Sequence, residues 1–304
     1  MEKILITGAS GFIGRACIEK LKEMPFEVHT ISRTAIPTSA KNIISHACDI
    51  LNIDDTIALT QKIKADYLLH LAWFVEHPIF WISIQNIPYI SASAMLYHAF
   101  STAGGKKAIL IGSSAEYTTN TEECHEDKTA ILPATLYGLA KKQTCELIER
   151  LKLTHPTHAE FCWVRLFNLF GPYENENRLI PYIFNTYLKG KVPIIHNASA
   201  VRNYTHIDYI AESLIALLHQ PLKGKLNIGS SHEFTLAELA KIIHQRYFQK
   251  WAPPHFELSS TSTDRFVPDL TKFKKFSLKT KQTLEEELDR IYLFWHQIAK
   301  EHTK

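Results

Sequence analysis

Short apolar runs alternate with longer amphipathic segments along the first half of the chain. The first run, residues 4–6, ends in a glycine-rich turn and is followed by a helical pattern through Leu21. The segments between runs are long enough for crossover helices, which predicts parallel strands in one sheet with helices on both faces. The remaining runs cover residues 28–31, 67–71, 108–111 and 161–166.

After Gly171 and Pro172 the alternation becomes less regular. The pattern predicts a doubly wound α/β domain over residues 1–167 and a smaller α/β domain over 168–304 that binds a substrate. Some segments of the second part are expected to return to the first domain. Thr283 and Glu286 have the spacing of a capping box before an apolar helical pattern, so we expect a closing helix.

Composition excludes several classes of protein. The 304 residues suffice for about two domains, and the 45% hydrophobic and 21% charged fractions are typical of globular chains. The 34 basic and 31 acidic side chains give a net charge of +3, which is too even to indicate a nucleic-acid surface.

The chain contains no apolar stretch near the ~20 residues of a membrane span and no secretory signal at its start. We therefore expect a cytoplasmic protein without membrane contact. Its five cysteines are scattered and lack a Cys-x-x-Cys pair. They indicate reduced thiols and no metal site.

The glycines of the first turn predict a dinucleotide site of the Rossmann type. They would allow a tight turn, a close approach of backbone to pyrophosphate, and close packing of helix on strand. The helix that starts there offers N–H groups and the positive end of its dipole to phosphate. The predicted contact residues are Gly8, Ser10, Gly11, Phe12, Ile13 and Gly14.

The end of the second predicted strand bears on the choice of cofactor. An acidic residue there would bind the adenosine ribose of NAD, but this chain has Ser32 and Arg33. A hydroxyl followed by a guanidinium suits the 2′-phosphate of NADP. NADP(H) is therefore favoured over NAD(H), and a solvated surface charge at Arg33 is the alternative.

Tyr137 and Lys141 have the i, i+4 spacing that places two side chains on one helix face. A nearby ammonium favours the phenolate form, so the lysine is expected to lower the tyrosine pKa for proton transfer. A surface pair of no chemical role is the alternative for such spacing. Ser113 and Ser114 favour the chemical role over the surface pair. They follow the apolar run 108–111, at the sheet edge where ligands bind.

The preceding predicted strand ends in residues that suit the nicotinamide and a sugar. Leu71 and Ala72 offer small backbone surface, and Trp73 offers a large aromatic one. A core position for Trp73 is the alternative.

Taken together, these motifs resemble the extended short-chain dehydrogenases/reductases, the NAD(P)-dependent epimerase/dehydratase group that acts on nucleotide sugars. The fit of order and spacing extends from residue 3 to about residue 295. The motifs are residues 7–14, 46–50 and 70–73, Ser113-Ser114, Tyr137-x-x-x-Lys141, and residues 164–172 and 202–208.

The resemblance implies roles for individual residues around the cofactor. Asp49 and Ile50 would lie beside the adenine, with a buried structural role as the alternative for Asp49. Ser113 would be the catalytic hydroxyl, with Ser114 as the second choice. Tyr137 would be the acid/base, and Lys141 would tune it and bind the nicotinamide ribose.

The resemblance also implies a substrate-binding set in the second part of the chain. Asn168 would meet the phosphates of the nucleotide sugar, and Leu179 belongs to the segment that packs beside the base. Arg202 and Arg265 would hold the pyrophosphate, for which arginine is suited by its fork of donors. Ion pairs between domains are the alternative for both arginines.

Departures from the family pattern indicate the reaction. Dehydratases carry acidic residues after the catalytic hydroxyl, where this chain has Ser114 and Ala115. Epimerases usually carry the acidic residue that Ser32-Arg33 replaces. The expected function is therefore NADPH-dependent reduction of a nucleotide-activated 4-keto-6-deoxyhexose, with an NAD-dependent nucleotide-sugar 4-epimerase as the alternative and a non-catalytic NADP-binding regulator as a further one. The resemblance also implies a homodimer through helices near residues 89–103 and 136–151.

Overall fold

The computed structural model describes residues 1–119, 121–230, 232–257, 264–276 and 283–301. The strands are β1 (Glu2–Thr7), β2 (Phe26–Ser32), β3 (Ile43–Ala47), β4 (Tyr67–His70), β5 (Lys107–Ser113), β6 (Glu123–Cys124), β7 (Glu160–Leu166), β8 (Asn168–Phe170), β9 (Ile194–Ile195), β10 (Val201–His206), β11 (Gly224–Ile228), β12 (Glu233–Thr235), β13 (His255–Phe256) and β14 (Arg265–Pro268). The helices are α1 (Phe12–Leu21), α2 (Ile53–Ile63), α3 (Asn86–Thr102), α4 (Leu136–Thr154), α5 (Leu179–Leu188), α6 (Ile207–Leu217), α7 (Leu236–Tyr247), α8 (Thr271–Lys274) and α9 (Leu284–Glu301), with short 3₁₀ turns at Ile79–Trp81 and Ser114–Glu116.

Seven parallel strands form the main sheet, in the order β11-β7-β5-β4-β1-β2-β3. Each of the five predicted strands is present in it, which confirms the predicted doubly wound fold. The order reverses between β1 and β4, where Ile6 lies between Thr30 and Leu69. Ligands of open α/β sheets bind at such a reversal, outside the carboxyl ends of the strands.

Helices cover both faces of this sheet, because alternate residues of each strand point to opposite sides. Ile4 and Ile6 belong to a core shared with α1 and α6, whereas Leu5 belongs to the opposite core, against α3 and α4. α1 packs on α6, and α3 packs between α2 and α4. Both faces of the strands are therefore buried, which explains their nearly continuous apolar sequence.

Strands β12, β10, β14 and β6 form a smaller sheet, and β8 pairs with β10. Of these strands, β6 comes from the first part of the chain and the others from the second. The core of this sheet is formed by α5, α7 and α9 and includes Phe184, Ile243 and Trp295. The predicted capping box is confirmed, since Thr283 N donates to Glu286 at 2.9 Å and Glu286 N to the Thr283 hydroxyl at 3.3 Å. In the part of the chain that the structure describes, no helix is long and apolar enough to span a membrane.

Candidate active site

The turn after β1 admits only glycine at two of its positions. Gly8 has a φ of +72°, and a Cβ on it would lie 2.6 Å from the backbone N of Ala72, beyond the end of β4. A Cβ on Gly14 would lie 2.3 Å from the carbonyl oxygen of Gly8. These contacts hold the start of α1 close against the ends of β1 and β4.

The start of α1 fits the pyrophosphate of a dinucleotide. Gly11 is the N-cap residue, and its helix has no side-chain cap, so the first N–H groups point at space beside the turn. A Cβ on Gly11 would meet only the Gly8 carbonyl oxygen, at 3.2 Å, which leaves its outer side open. The absence of a competing cap and the bare glycine surface together form a cradle for phosphate.

A cavity of about 480 Å³ extends from this cradle along the carboxyl ends of β1, β4, β5 and β7. The structure brings most of the predicted site residues to its wall. The predicted residues that line it are Gly8, Ser10, Gly11, Phe12, Ile13, Gly14, Ser32, Arg33, Asp49, Ile50, Leu71, Ala72, Trp73, Ser113, Ser114, Tyr137 and Asn168.

The ends of β2 and β3 form the wall where the adenosine half of a dinucleotide would lie. The Ser32 hydroxyl donates to the carbonyl oxygen of Thr34 at 2.7 Å, which fixes the turn after β2. The next side chain, Arg33, is exposed and lines the cavity. Asp49 follows β3, and its carboxylate accepts from Leu51 N at 3.0 Å.

Ser113 is fixed at the end of β5 by a buried carboxylate that the sequence did not single out. Glu116 is fully buried; its Oε1 accepts from Ser113 N at 2.8 Å and from Trp163 Nε1 at 2.9 Å. Its Oε2 accepts from Arg165 Nε at 2.8 Å. The Ser113 hydroxyl itself accepts from Ala115 N at 3.1 Å. This network ties the serine to β7 and holds its hydroxyl within hydrogen-bonding reach of Tyr137.

Tyr137 and Lys141 lie on the first turns of α4, whose N-terminus is capped by the Thr135 hydroxyl. Lys141 Nζ donates to the carbonyl oxygen of Ile111 at 2.7 Å and lies 3.7 Å from the ring centroid of Trp73. Burial lowers the pKa of Lys141 to about 7. The ammonium is thus held between β5 and an aromatic ring.

The expectation that Lys141 lowers the pKa of Tyr137 is wrong for this arrangement. Lys141 Nζ is 5.9 Å from the centroid of the tyrosine ring, and its contacts go to Ile111 and Trp73. Burial instead raises the pKa of Tyr137 to about 12, although Ser113 and the charge of Arg178 act in the opposite direction. Desolvation therefore outweighs the neighbouring charges.

Aromatic rings enclose Tyr137 on one side of the cavity. The rings of Phe80 and Trp81 lie 4.9 and 5.6 Å from that of Tyr137, centroid to centroid. Buried Asn86 fixes the enclosure, because it accepts from Trp73 Nε1 at 2.8 Å and donates to the Phe80 carbonyl oxygen at 2.7 Å. Sequence reasoning named Trp73 alone; the aromatic residues clustered around position 80 were a signal for the others.

Another part of the cavity wall is polar. Asn168 lies there with Glu174, Asn175 and Arg178, of which only Asn168 was predicted. The acidic and basic residues packed into the segment 174–178, before α5, were a signal that the sequence analysis did not use.

The remaining predicted substrate residues are elsewhere. Arg202 Nη2 pairs with Asp264 at 2.6 Å, and Arg265 Nη2 pairs with Glu233 at 2.9 Å. Both ion pairs lie within residues 168–304 and do not join the two expected domains. Neither arginine lines the cavity, and nor does Leu179, on the first turn of α5. Phosphate binding by the two arginines stays a prediction.

Comparison with known proteins decides the family. Residues 4–229 match the model of the NAD dependent epimerase/dehydratase family. The chain belongs to this family. The predicted resemblance to the extended short-chain dehydrogenases/reductases is thus confirmed, and the protein is an enzyme of that type.

Individual relatives are distant but match over nearly the whole chain. UDP-glucuronic acid decarboxylase 1 of Xenopus tropicalis is 22% identical over 287 residues, which cover 90% of this chain and 67% of that protein. A UDP-N-acetylglucosamine 4-epimerase from Methanobrevibacter ruminantium M1 has a TM-score of 0.85 at 22% identity, covering 98% of this chain and 99% of that one. A UDP-glucuronic acid 4-epimerase from Bacillus cereus, solved with UDP-glucuronic acid and NAD, has a TM-score of 0.82 at 23% identity, covering 97% and 99%. These likenesses extend the shared fold to both parts of the chain.

Proposed function

We propose that the protein uses NADPH to reduce a nucleotide-activated 4-keto-6-deoxyhexose to the corresponding deoxysugar nucleotide. The observation that carries this proposal is the pair of Ser113 and Tyr137 in the cavity wall, where Ser114 and Ala115 follow the serine in place of acidic residues. Glu116, the first carboxylate after them, is buried and bonded to β7. The elimination of water, which needs a proton acceptor beside the serine, is therefore disfavoured.

The chain's own groups suit proton delivery to a carbonyl oxygen that is being reduced. Its raised pKa keeps Tyr137 protonated at neutral pH, so it acts as a donor. An alkoxide is a stronger base than a phenolate, and the transfer to it is downhill. The Ser113 hydroxyl donates a hydrogen bond to the same oxygen as negative charge develops. When bound, NADPH supplies the hydride.

The aromatic enclosure supports a 6-deoxy sugar. The carbon next to C4 in the ring carries the C6 group, which lies near Tyr137 when C4 reacts. Phe80 and Trp81 offer apolar surface there, and a methyl group is buried on such a surface at lower cost than a hydroxyl. The polar side of the cavity suits the hydroxyl-bearing part of the sugar.

Arg33 supports NADPH rather than NADH. Its exposed guanidinium lines the cavity after β2, where a carboxylate would repel the 2′-phosphate. A titration of cofactor-stripped protein with NADPH and NADH tests this choice. We expect clear NADPH preference, no cofactor retained at purification, and turnover of a 4-keto-6-deoxy nucleotide sugar from a panel of bases.

The second candidate is an NAD-dependent 4-epimerase, favoured by the two solved 4-epimerases of the same fold. Stoichiometric NAD retained through purification, together with no net oxidation of added NADPH, would move this candidate to first place. A non-catalytic NADP-binding regulator is disfavoured by the intact Ser113, Tyr137 and Lys141.

The proposal extends to a cytoplasmic homodimer through α3 and α4. These helices pack on each other and expose apolar side chains at Met95, Leu139 and Leu147. Sedimentation of the purified protein measures the oligomeric state, and a monomer at micromolar concentration would contradict this part.

A further inference from the structure

The buried ammonium of Lys141 has a single hydrogen-bond acceptor. The residue is 4% exposed, and its Nζ donates to the carbonyl oxygen of Ile111 at 2.7 Å. An ammonium carries three N–H donors, and the part of the chain that the structure describes offers no second acceptor. The indole ring of Trp73 covers Nζ instead, with its centroid 3.7 Å away. The ring face therefore takes the place of solvent at this charge.

The indole ring is fixed in this position by Asn86, the first residue of α3. Trp73 Nε1 donates to Asn86 Oδ1 at 2.8 Å, and Asn86 Nδ2 donates to the carbonyl oxygens of Phe80 at 2.7 Å and Ser83 at 2.9 Å. Asn86 is fully buried, and the ring of Tyr89 packs on that of Trp73 at 5.3 Å. An amide with these three bonds has one orientation, and so has the ring that it holds.

We propose that Trp73 is a positioning residue for Lys141 and that Asn86 orients it. The ring face favours the ammonium over the neutral amine, because the π-electrons attract a cation. Trp73 thus keeps Lys141 charged in a site that excludes water, and a charged donor makes the stronger hydrogen bond to a hydroxyl such as that of a ribose. The use of this charge rests on the proposed function, whereas the contact that maintains it does not.

Three other ionisable groups face Lys141 from the elements packed around it. Glu116, on the turn after β5, attracts the ammonium, but its carboxylate also pairs with Arg165 at 2.8 Å. His70 on β4 is neutral, since burial and the charge of Lys141 lower its pKa to about 3. Tyr137 on the same helix stays protonated, because burial raises its pKa to about 12.

Burial lowers the pKa of Lys141 to about 7, although Glu116 acts in the opposite direction. At neutral pH the ammonium and the amine are therefore close in free energy. One contact that favours the ammonium then has a measurable effect on the population of the charged form.

Carbon-13 NMR of protein labelled at the lysine Cε reads the charge of Lys141 without turnover. Its resonance is identified by its loss in Lys141→Met. Trp73→Leu keeps an apolar side chain over Nζ and removes the ring face, so we expect the pKa of Lys141 to fall by about one pH unit. Trp73→Phe keeps a ring face and loses the bond to Asn86, so the fall should be about half as large.

Trp81→Phe is the matched control. Trp81 lines the same cavity and packs on Tyr137 at 5.6 Å, so its substitution should leave the pKa of Lys141 unchanged. Asn86→Leu removes the acceptor of Trp73 Nε1 and should give a fall between those of the two Trp73 variants. If Asn86→Leu or Trp73→Leu does not fold, Trp73→Phe carries the test.

An unchanged pKa of Lys141 in Trp73→Leu would overturn the role of Trp73. A rise would overturn it as well, since the ring would then act only by excluding water. An equal fall in Trp81→Phe would assign the effect to a general loosening of the cavity wall and would also reject the proposal.

The affinity for NADP⁺ tests separately how the charge is used. It should decrease as Lys141 loses its proton, and this decrease should occur at lower pH in Trp73→Leu. If the NMR shift appears without this dependence, Trp73 keeps its role and the ribose contact of Lys141 is rejected. If the shift appears but no 4-keto sugar is reduced, the proposed reductase falls and the role of Trp73 remains.

Discussion

Lys141 Nζ lies 3.7 Å from the ring centroid of Trp73, inside a helix-and-sheet core that holds it away from water. The ring face is electron-rich and stabilises the ammonium, but it does not replace the lost hydration. Lys141 therefore lowers the free energy of unfolding, and the size of this destabilisation depends on pH.

Lys141→Met should stabilise the protein at neutral and lower pH. The pKa of Lys141 is about 7 in the folded chain and 10.5 in the unfolded one, so between these values only the unfolded chain holds the proton. Wild-type stability then rises with pH across this window, and the burial cost is largest below pH 7. We expect a Tm at least about 3 °C above wild type at pH 6.5, with the gap closing towards pH 10.

Thermal unfolding from pH 6 to 10 measures this gap. Lys142→Met is the matched control, since Lys142 is partly exposed and pairs with Glu146 at 3.7 Å. A gap that is independent of pH would contradict the assigned cause. Lys141→Met should also have greatly reduced activity.

Tyr137→Phe should lower kcat by roughly 10²–10⁴-fold, because the positioned proton donor is lost. The ring and its packing on Phe80 remain, so NADPH affinity should change less than twofold. Single-turnover kinetics and a fluorescence titration separate the two quantities. Unchanged turnover with weakened cofactor binding would remove Tyr137 from the proton-transfer role.

Arg33→Gln should weaken NADPH binding by about tenfold or more, since a charge-assisted contact to the 2′-phosphate is lost. NADH affinity should stay within about twofold. Lys41→Gln, an exposed residue further along the loop after β2, serves as the control for general surface charge. Equal losses for the two cofactors would assign Arg33 to the solvated surface.

Gly11→Ala and Gly14→Ala should separate cofactor binding from folding. A Cβ at position 14 meets backbone at 2.3 Å and should cost about 1–3 kcal/mol of stability. A Cβ at position 11 meets only one backbone atom at 3.2 Å, so the fold should tolerate it while dinucleotide affinity falls. Denaturant unfolding and cofactor titration of both variants check this. Similar stability losses in both would contradict the division of roles.

The sequence predicted the strands that are buried on both faces and missed those that are not continuous apolar runs. β3 contains Ser45 and His46, and β11 begins with glycine and lysine, so neither stands out as an apolar run. Their places at the two edges of the sheet follow from pairing with β2 and β7, which no local pattern encodes.

The residues of the candidate site also divide into those that the sequence predicted and those that it did not. Gly8 and Tyr137 were predicted because local geometry fixes their spacing, and Ser113 was predicted from the resemblance to the family. Glu116 and Asn86 were missed because their roles depend on partners brought together by the fold. The raised pKa of Tyr137 was also unpredictable, since i, i+4 spacing gives a shared helix face but not the degree of burial.

The Glu116 network has a consequence for how this enzyme can change. Glu116 accepts from Ser113 N and from two side chains of β7, and so holds Ser113 in place. The aromatic segment around Phe80 contributes none of these hydrogen bonds. Under the proposed function, substitutions in that segment should alter which sugar is accepted, while the Ser113 hydroxyl keeps its position. The position of Ser113 is therefore independent of residues 74–85, whereas Tyr137 packs on Phe80 and Trp81 and depends on them. A library aimed at new substrates should keep those two rings and vary the rest of the segment.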